Sequence, residues 1–272
     1  MKRLLWLLGL LALAACQTRP APPPTRPANS GLTLLQIGVT SSATAVVPLL
    51  QAAYGQQNPQ VELQFVVANS TALYDDLSSG LLDAVLLHHI PQGNGRYFNP
   101  IALDGVVFMV HPDNPVQTLS SAEIQAIFNG RITNWQTVGG ANEEIELLSR
   151  EQGSGLRALL RQQIMAEQRI TPNALLQVGD EAMHTAVANN PAALGYSSLS
   201  SASQTSSVKI ISLDGRWPTL QTTADQTYAL TTPLYFIAAT EAEPVGELRA
   251  LLAWLQSEEG QGAIGEVYGR IR

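Results

Sequence analysis

Three short stretches of the 272-residue chain combine hydroxyls, glycines and an arginine in a way that could hold a small anion. Ser42 and Thr44 open one apolar helical pattern, Ser70 and Thr71 open a second, and Ser154 opens a third. Each follows a predicted strand. A helix start presents unpaired N–H groups and the positive end of its dipole. With hydroxyls beside it, it becomes an anion cradle that carries no net charge. Any one of these turns alone is equally an ordinary capped helix. The third differs: it reads Ser149-Arg150-Glu151-Gln152-Gly153-Ser154-Gly155. Gly153 and Gly155 allow the backbone close to a ligand. Arg150, four residues ahead of Ser154, supplies a planar fork that grips oxyanions in bidentate fashion.

The elements that must position these turns follow from periodicity. Leu32 to Ile37 reads as a buried strand, followed by Val46, Val47, Leu49, Leu50, Ala53 and Tyr54 at helical spacing. Val61, Leu63, Phe65 and Val67 alternate with less apolar neighbours as in a strand; Leu73, Leu77 and Leu81 return to a helical period, and Ala84 to Leu87 is a further strand. Strand, turn and helix repeated in this order predict an α/β fold with a mostly parallel sheet, whose ligands bind beyond the carboxyl ends of the strands. Ser120-Ser121-Ala122-Glu123 has capping-box spacing, with Asn129-Gly130 as the stop. Further strands are expected at Val106–Val110, Ile145–Ser149, Val208–Leu213 and Tyr235–Ala239. Helices are expected after Gly155, over Asp180–Asn189, and along Leu248, Leu251, Leu252 and Leu255.

Composition sets the outer bounds. There are 15 basic and 22 acidic residues, a net charge of −7, and no basic cluster to meet nucleic-acid phosphates. A single Cys excludes a disulfide framework within the chain. That Cys follows Lys2, Arg3 and a twelve-residue apolar run, Leu4 to Ala15, too short for the ~20 residues that span a bilayer. Basic start, short apolar stretch and small residues at the exit have the plan of a secretory signal. Leu13-Ala14-Ala15-Cys16 resembles a bacterial lipobox, which implies a leader over 1–15 and lipidation of Cys16. Residues 16–31, with Pro20, Pro22, Pro23, Pro24 and Pro27, are expected to form an extended tether. A chain beginning at Cys16 loses Lys2 and Arg3 and carries −9.

Several motifs in one order make the chain resemble a known family. They are Ile101-Ala102-Leu103-Asp104-Gly105-Val106, Pro112-Asp113-Asn114-Pro115-Val116, Phe128 to Trp135, Ser149 to Gly155, Ala192 to Tyr196, and Pro233-Leu234-Tyr235. Together they resemble the phosphate-binding protein of bacterial ABC importers, in the type II periplasmic-binding-protein superfamily. The resemblance implies two α/β lobes joined by two crossing strands, lobe 1 at 32–108 plus 229–272 and lobe 2 at 109–228. It implies an oxyanion, phosphate first, held by Thr44, Ser70, Arg150, Ser154 and the Gly155 N–H; Ser42 and Gly153, read from the turns themselves, and His88 are expected to line the same site. It further implies delivery to an ABC permease by a monomeric, lipid-anchored protein outside the cytoplasmic membrane, with no cofactor and no bond made or broken.

One departure from the family bears on selectivity. Five positions after Asp83, where high-affinity members carry Asp, this chain has His88. Hydrogen phosphate brings a proton that needs an acceptor, whereas sulfate has none. A neutral imidazole accepts only through its bare nitrogen and becomes a donor below a pKa near ~6.5. Leu156 also stands where the family has a hydroxyl. A tungstate-, molybdate- or sulfate-type anion and a tethered sensor role are the alternative expectations. His88 and His89, adjacent on a strand end, face opposite sides and make a poor metal pair. Gly153-Ser154-Gly155 lacks the spacing of a hydrolase nucleophile elbow.

Overall fold

The computed structural model describes residues 31–91, 95–166 and 168–271. Cys16, the apolar leader and the Pro-rich segment before Gly31 lie outside the described residues. Strand β1 (Thr33–Thr40) ends in a tight turn, Ser41–Ala43, that feeds helix α1 (Val46–Leu49) and, through a wider turn at Leu50–Tyr54, α2 (Gly55–Gln57). Pro48 lies in the first turn of α1, where its missing N–H removes no ladder bond. β2 (Val61–Ala68), α3 (Ser70–Ser78) and β3 (Ala84–Leu87) complete the first arm. A thirteen-residue strand, β4 (Phe98–Val110), leads to β5 (Thr118–Leu119) and α4 (Ser121–Phe128). The second arm comprises β6 (Glu146–Arg150), α5 (Gly155–Gln163), β7 (Leu175–Gln177), α6 (Gly179–Ala188), β8 (Ala193–Ser198), α7 (Leu199–Ala202) and β9 (Lys209–Leu213). The chain closes with α8 (Leu220–Ala224), β10 (Thr231–Ala238), α9 (Gly246–Gln256) and α10 (Glu258–Ile264).

The strands join in the order β2-β1-β3-β10-β4-β8-β6-β7, with β9 on β4 and β5 on β9. Within the arms the pairs β1–β2, β1–β3, β6–β8, β6–β7 and β5–β9 are parallel, as strand–helix alternation requires. The antiparallel pairs all involve β4 or β10. β4 pairs with β10 along its first part and with β8 from Val106 onward, so it crosses from one half of the sheet to the other. The chain crosses back beside it: Val106 N–H donates to Leu230 O at 3.0 Å, and the Tyr228 hydroxyl donates to Val106 O at 2.9 Å. One large core gathers residues between Val106 and Leu230 around Phe108, Phe128, Trp135 and Tyr196. Another gathers Leu35 to Ala102 and Leu234 to Tyr268 around Ile37, Phe236 and Leu252. They share no residue, and the result is a two-lobed α/β fold.

Three local expectations change. Helix α3 stops at Ser78, so Leu81 leaves the helical stripe and is exposed. The first strand runs on to Thr40, carrying its polar end to the turn. The alternating face of β2 is only partly covered: Val61 is buried but Val67 is 54% exposed, because β2 is the edge of the sheet. The capping box is present as expected. The Ser120 hydroxyl accepts from the Glu123 N–H, and the Glu123 carboxylate accepts from the Ser120 N–H at 2.7 Å. Ser120→Ala is expected to lower stability by about 1 kcal/mol and the melting temperature by roughly 2–4 °C, read by urea and thermal unfolding.

Candidate functional site

Arg150 ends β6 and is 2% exposed. Its Nε donates to Glu151 Oε2 at 3.2 Å, Nη1 to Asp180 Oδ2 at 3.0 Å, and Nη2 to the Ser41 hydroxyl at 3.1 Å. Ser41 in turn donates to Asp180 Oδ2 at 2.8 Å. Burial alone would lower the guanidinium's pKa; the Asp180 and Glu151 carboxylates outweigh it, and the net shift is upward. Asp180 is buried in the first turn of α6, where the dipole favours a carboxylate. Its other oxygen accepts from Ser197, whose Oγ lies 3.1 Å from His184 Nε2.

The second turn meets the third directly. Asn69, not Ser70, caps α3: its side chain accepts from Ala72 N–H at 3.0 Å. Ser70, the first helical residue, is thereby free to accept the Gly155 N–H at 3.1 Å, and Thr71 N–H donates to Gly153 O at 3.2 Å. This contact needs both glycines. A Cβ on Gly153 would sit 2.5 Å from Asn69 Oδ1, and one on Gly155 2.7 Å from Ser70 Oγ. Ser154 caps α5 by accepting from Arg157 N–H at 3.4 Å, so its hydroxyl is committed to its own helix.

A third buried group surrounds Ser42. Its Oγ lies 3.1 Å from Thr40 Oγ1 and 3.4 Å from His88 Nδ1, and its carbonyl accepts from Ser198 at 2.6 Å. His88, just beyond β3, is 2% exposed, and its Nε2 lies 3.0 Å from Asp104 Oδ2. The residue types of a hydrolase triad are thus in line, but Ser42 Oγ is shared with Thr40 and sits at the limit of hydrogen-bonding distance.

Of the residues singled out from sequence, Ser42, Ser70, His88, Arg150, Ser154 and Gly155 are buried, and Gly153 packs on Asn69. They lie where elements of the two cores meet. Thr44 stands apart: it donates back to Ser41 O at 3.1 Å and lines a cleft of about 710 Å³ with Ser41, Asp180, Glu181 and His184. The cleft adjoins the Arg150 group through Ser41 and Asp180. Sequence reading did not single out Ser41, Asp104, Asp180, Ser197, Ser198 and Ser200 as site residues. Two signals were available: a lone carboxylate inside the apolar run 101–110, and a hydroxyl-rich stretch, Ser197 to Ser201, at the end of a buried strand. Among the described residues no group of three or more His, Cys, Asp or Glu side chains could hold a metal ion. No described helix is long and apolar enough to cross a membrane.

Arg150, the start of α5 and the hydroxyls around them sit on a two-lobed α/β frame, and comparison with known proteins identifies the family of that frame. Residues 23–259 match the family described as the PBP superfamily domain, and the chain belongs to that family. It is 25% identical over 248 residues to the phosphate-binding protein PstS of Bacillus subtilis, covering 85% of this chain and 79% of that one. Among solved structures it is similar to a phosphate ABC transporter substrate-binding protein with bound phosphate from Clostridium perfringens. That likeness has a TM-score of 0.80 at 25% identity and covers 88% of this chain and all of that one. It is also similar to an ABC-type phosphate transport receptor from Vibrio cholerae, with a TM-score of 0.69 at 28% identity, covering 88% and 99%.

The site also fixes a pH response. Burial lowers the pKa of His89; burial and the nearby Arg150 lower that of His184, with Asp180 partly opposing. A histidine whose folded pKa lies below its unfolded value of about 6.5 takes up its proton more readily in the unfolded chain. Stability is therefore expected to fall as pH drops through and below about 6.5. The urea midpoint should be lower at mildly acidic than at neutral pH, and a His89→Asn, His184→Asn double variant should flatten that difference.

Proposed function

We propose that this chain is the solute-binding component of an ABC importer and that it captures phosphate at the junction of the three turns. One observation carries the reading: Arg150 and the Gly155 N–H of one lobe are brought onto Ser41 and Ser70 of the other. An oxyanion entering there would take over these donors, and hydroxyls that now accept would turn to donate. Arg150 would supply a fixed charge, the α5 start backbone N–H groups, and Ser42 and Ser70 hydroxyls; His88 would border the guest. Thr44 would act from the cleft side, and Gly153 and Ser154 by shaping the turn. The phosphate-binding names of the relatives support the choice of guest.

The same reading divides the body into lobe 1 at 32–108 plus 229–272 and lobe 2 at 109–228, closing on the guest about the paired crossings. It makes the protein a monomer that is lipid-anchored through Cys16 outside the cytoplasmic membrane and hands its guest to a permease. Calorimetric titration with phosphate, sulfate, tungstate and molybdate tests the ligand; phosphate should bind most tightly, and preference for a protonless anion would replace it. Arg150→Ala should weaken binding by about 100-fold or more, through loss of a charge-assisted bidentate contact and exposure of the Asp180 and Glu151 carboxylates to the anion. Retained affinity would remove Arg150 from the site. Cys16→Ala should move the protein from the membrane fraction to the soluble fraction.

A further inference from the structure

Arg150, the backbone N–H groups and the serine hydroxyls can all give hydrogen bonds to a tetrahedral anion, so they do not separate phosphate from sulfate. What separates them is the proton on hydrogen phosphate, which needs an acceptor. The carboxylates beside the turns, buried Asp180 and half-buried Glu151, are both engaged by Arg150. One Asp180 oxygen takes Arg150 and Ser41 and the other takes Ser197, while Glu151 takes Arg150 Nε. Asp104 lies behind His88: its Oδ1 accepts the Gly105 N–H at 2.8 Å and the Ser200 N–H at 3.1 Å, and its Oδ2 accepts the Ser200 hydroxyl at 2.6 Å.

The remaining contact of Asp104 Oδ2 is His88 Nε2, at 3.0 Å with both side chains about 1% exposed. An ionised carboxylate only accepts, so this contact requires a proton on Nε2. A neutral imidazole has one N–H, which leaves Nδ1 bare and pointed at the Ser42 side of the junction, 3.4 Å from its hydroxyl. Ser42 has Thr40 Oγ1 at 3.1 Å as an alternative partner, so Nδ1 can pass to a guest without stranding that hydroxyl. Thr232 Oγ1, donating to His88 O at 3.1 Å, anchors the backbone behind the ring.

We propose that Asp104 locks His88 in the Nε2–H tautomer and thereby makes His88 Nδ1 the acceptor for the proton of hydrogen phosphate. Asp104 is then a positioning residue for selectivity that touches no ligand itself. This inference rests on the phosphate reading above and adds the group that would enforce it.

The tautomer argument gives a test with a sign. In Asp104→Asn the side-chain oxygen must keep the Oδ1 place, where it takes two backbone N–H groups. The NH₂ then occupies the Oδ2 place and donates to His88 Nε2. The ring proton moves to Nδ1, and an acceptor facing the guest becomes a donor. By competition titration at mildly alkaline pH, phosphate affinity should fall by roughly 10- to 100-fold while sulfate affinity holds or rises. Equal loss of both anions, or an unchanged ratio, would overturn the proposal. Failure of the unaltered chain to bind phosphate at all would instead overturn the functional reading. Imidazole ¹⁵N NMR of the unaltered chain, with His88→Asn to assign the signal, needs no folded Asp104 variant. A protonated Nε2 beside a bare Nδ1 is expected, and a protonated Nδ1 would sink the idea.

Discussion

One buried positive charge organises the junction. A guanidinium removed from water costs several kcal/mol unless its N–H groups and its charge are matched. Arg150 meets that demand with its neighbour Glu151 and with two partners from distant parts of the chain, Asp180 and Ser41. Satisfying one side chain therefore fixes the end of β6, the first turn of α6 and the turn after β1 against one another. Asp180 extends the constraint to the end of β8 through Ser197. The pieces of the site are held by a charge requirement and not by shape alone.

Strand direction explains why these groups arrive at the same place. β1 and β3 are parallel neighbours, and their carboxyl ends deliver the Ser41–Ser42 turn and His88. β6 and β8 are parallel neighbours too, and deliver Arg150 and the Ser197–Ser198 pair. The antiparallel strands that join the cores contribute as well. Asp104 on β4 and Thr232 on β10 face one another in the ladder, and both touch His88. The crossing between lobes and the buried histidine therefore share residues, so a shift at the crossing would be felt at the ring.

Much of this frame is written in local patterns. The capping box at Ser120, the helical stripe of α9 and the strand before Arg150 depend on neighbours in sequence, and the structure places them close to where periodicity does. The three turns are legible for the same reason: a hydroxyl at a helix start follows from strand–helix alternation. What stays hidden is long-range pairing. Nothing near Asp180 distinguishes it from a carboxylate that merely favours a helix dipole; its role depends on Arg150, 30 residues away. Asp104 reads as one polar residue in an apolar run; its role depends on His88, 3.0 Å from it in the fold. Ser70 reads as a cap, yet Asn69 caps the helix and leaves Ser70 for Gly155.

The chemistry of the junction favours hydroxyls over charges for a further reason. Arg150 and Arg157 contribute two positive charges at the third turn, and Asp180 and Glu151 beside Arg150 contribute two negative ones. An anion cannot be held there by surplus charge, and the chain as a whole carries −7. On the proposed reading, oriented N–H and O–H dipoles would hold it in a site shielded from water, where each is worth more than at the surface. A hydroxyl can accept in one state and donate in another by rotating its proton. Ser70 now accepts from Gly155 and Ser41 from Arg150; each could turn its proton to a guest without moving its oxygen far. A carboxylate in either position would accept only and would repel the guest, and an amide would need a full flip to exchange its two ends. Serine is the side chain that lets the turns satisfy each other as they stand and, on the proposed reading, would let them satisfy a small oxyanion placed between them.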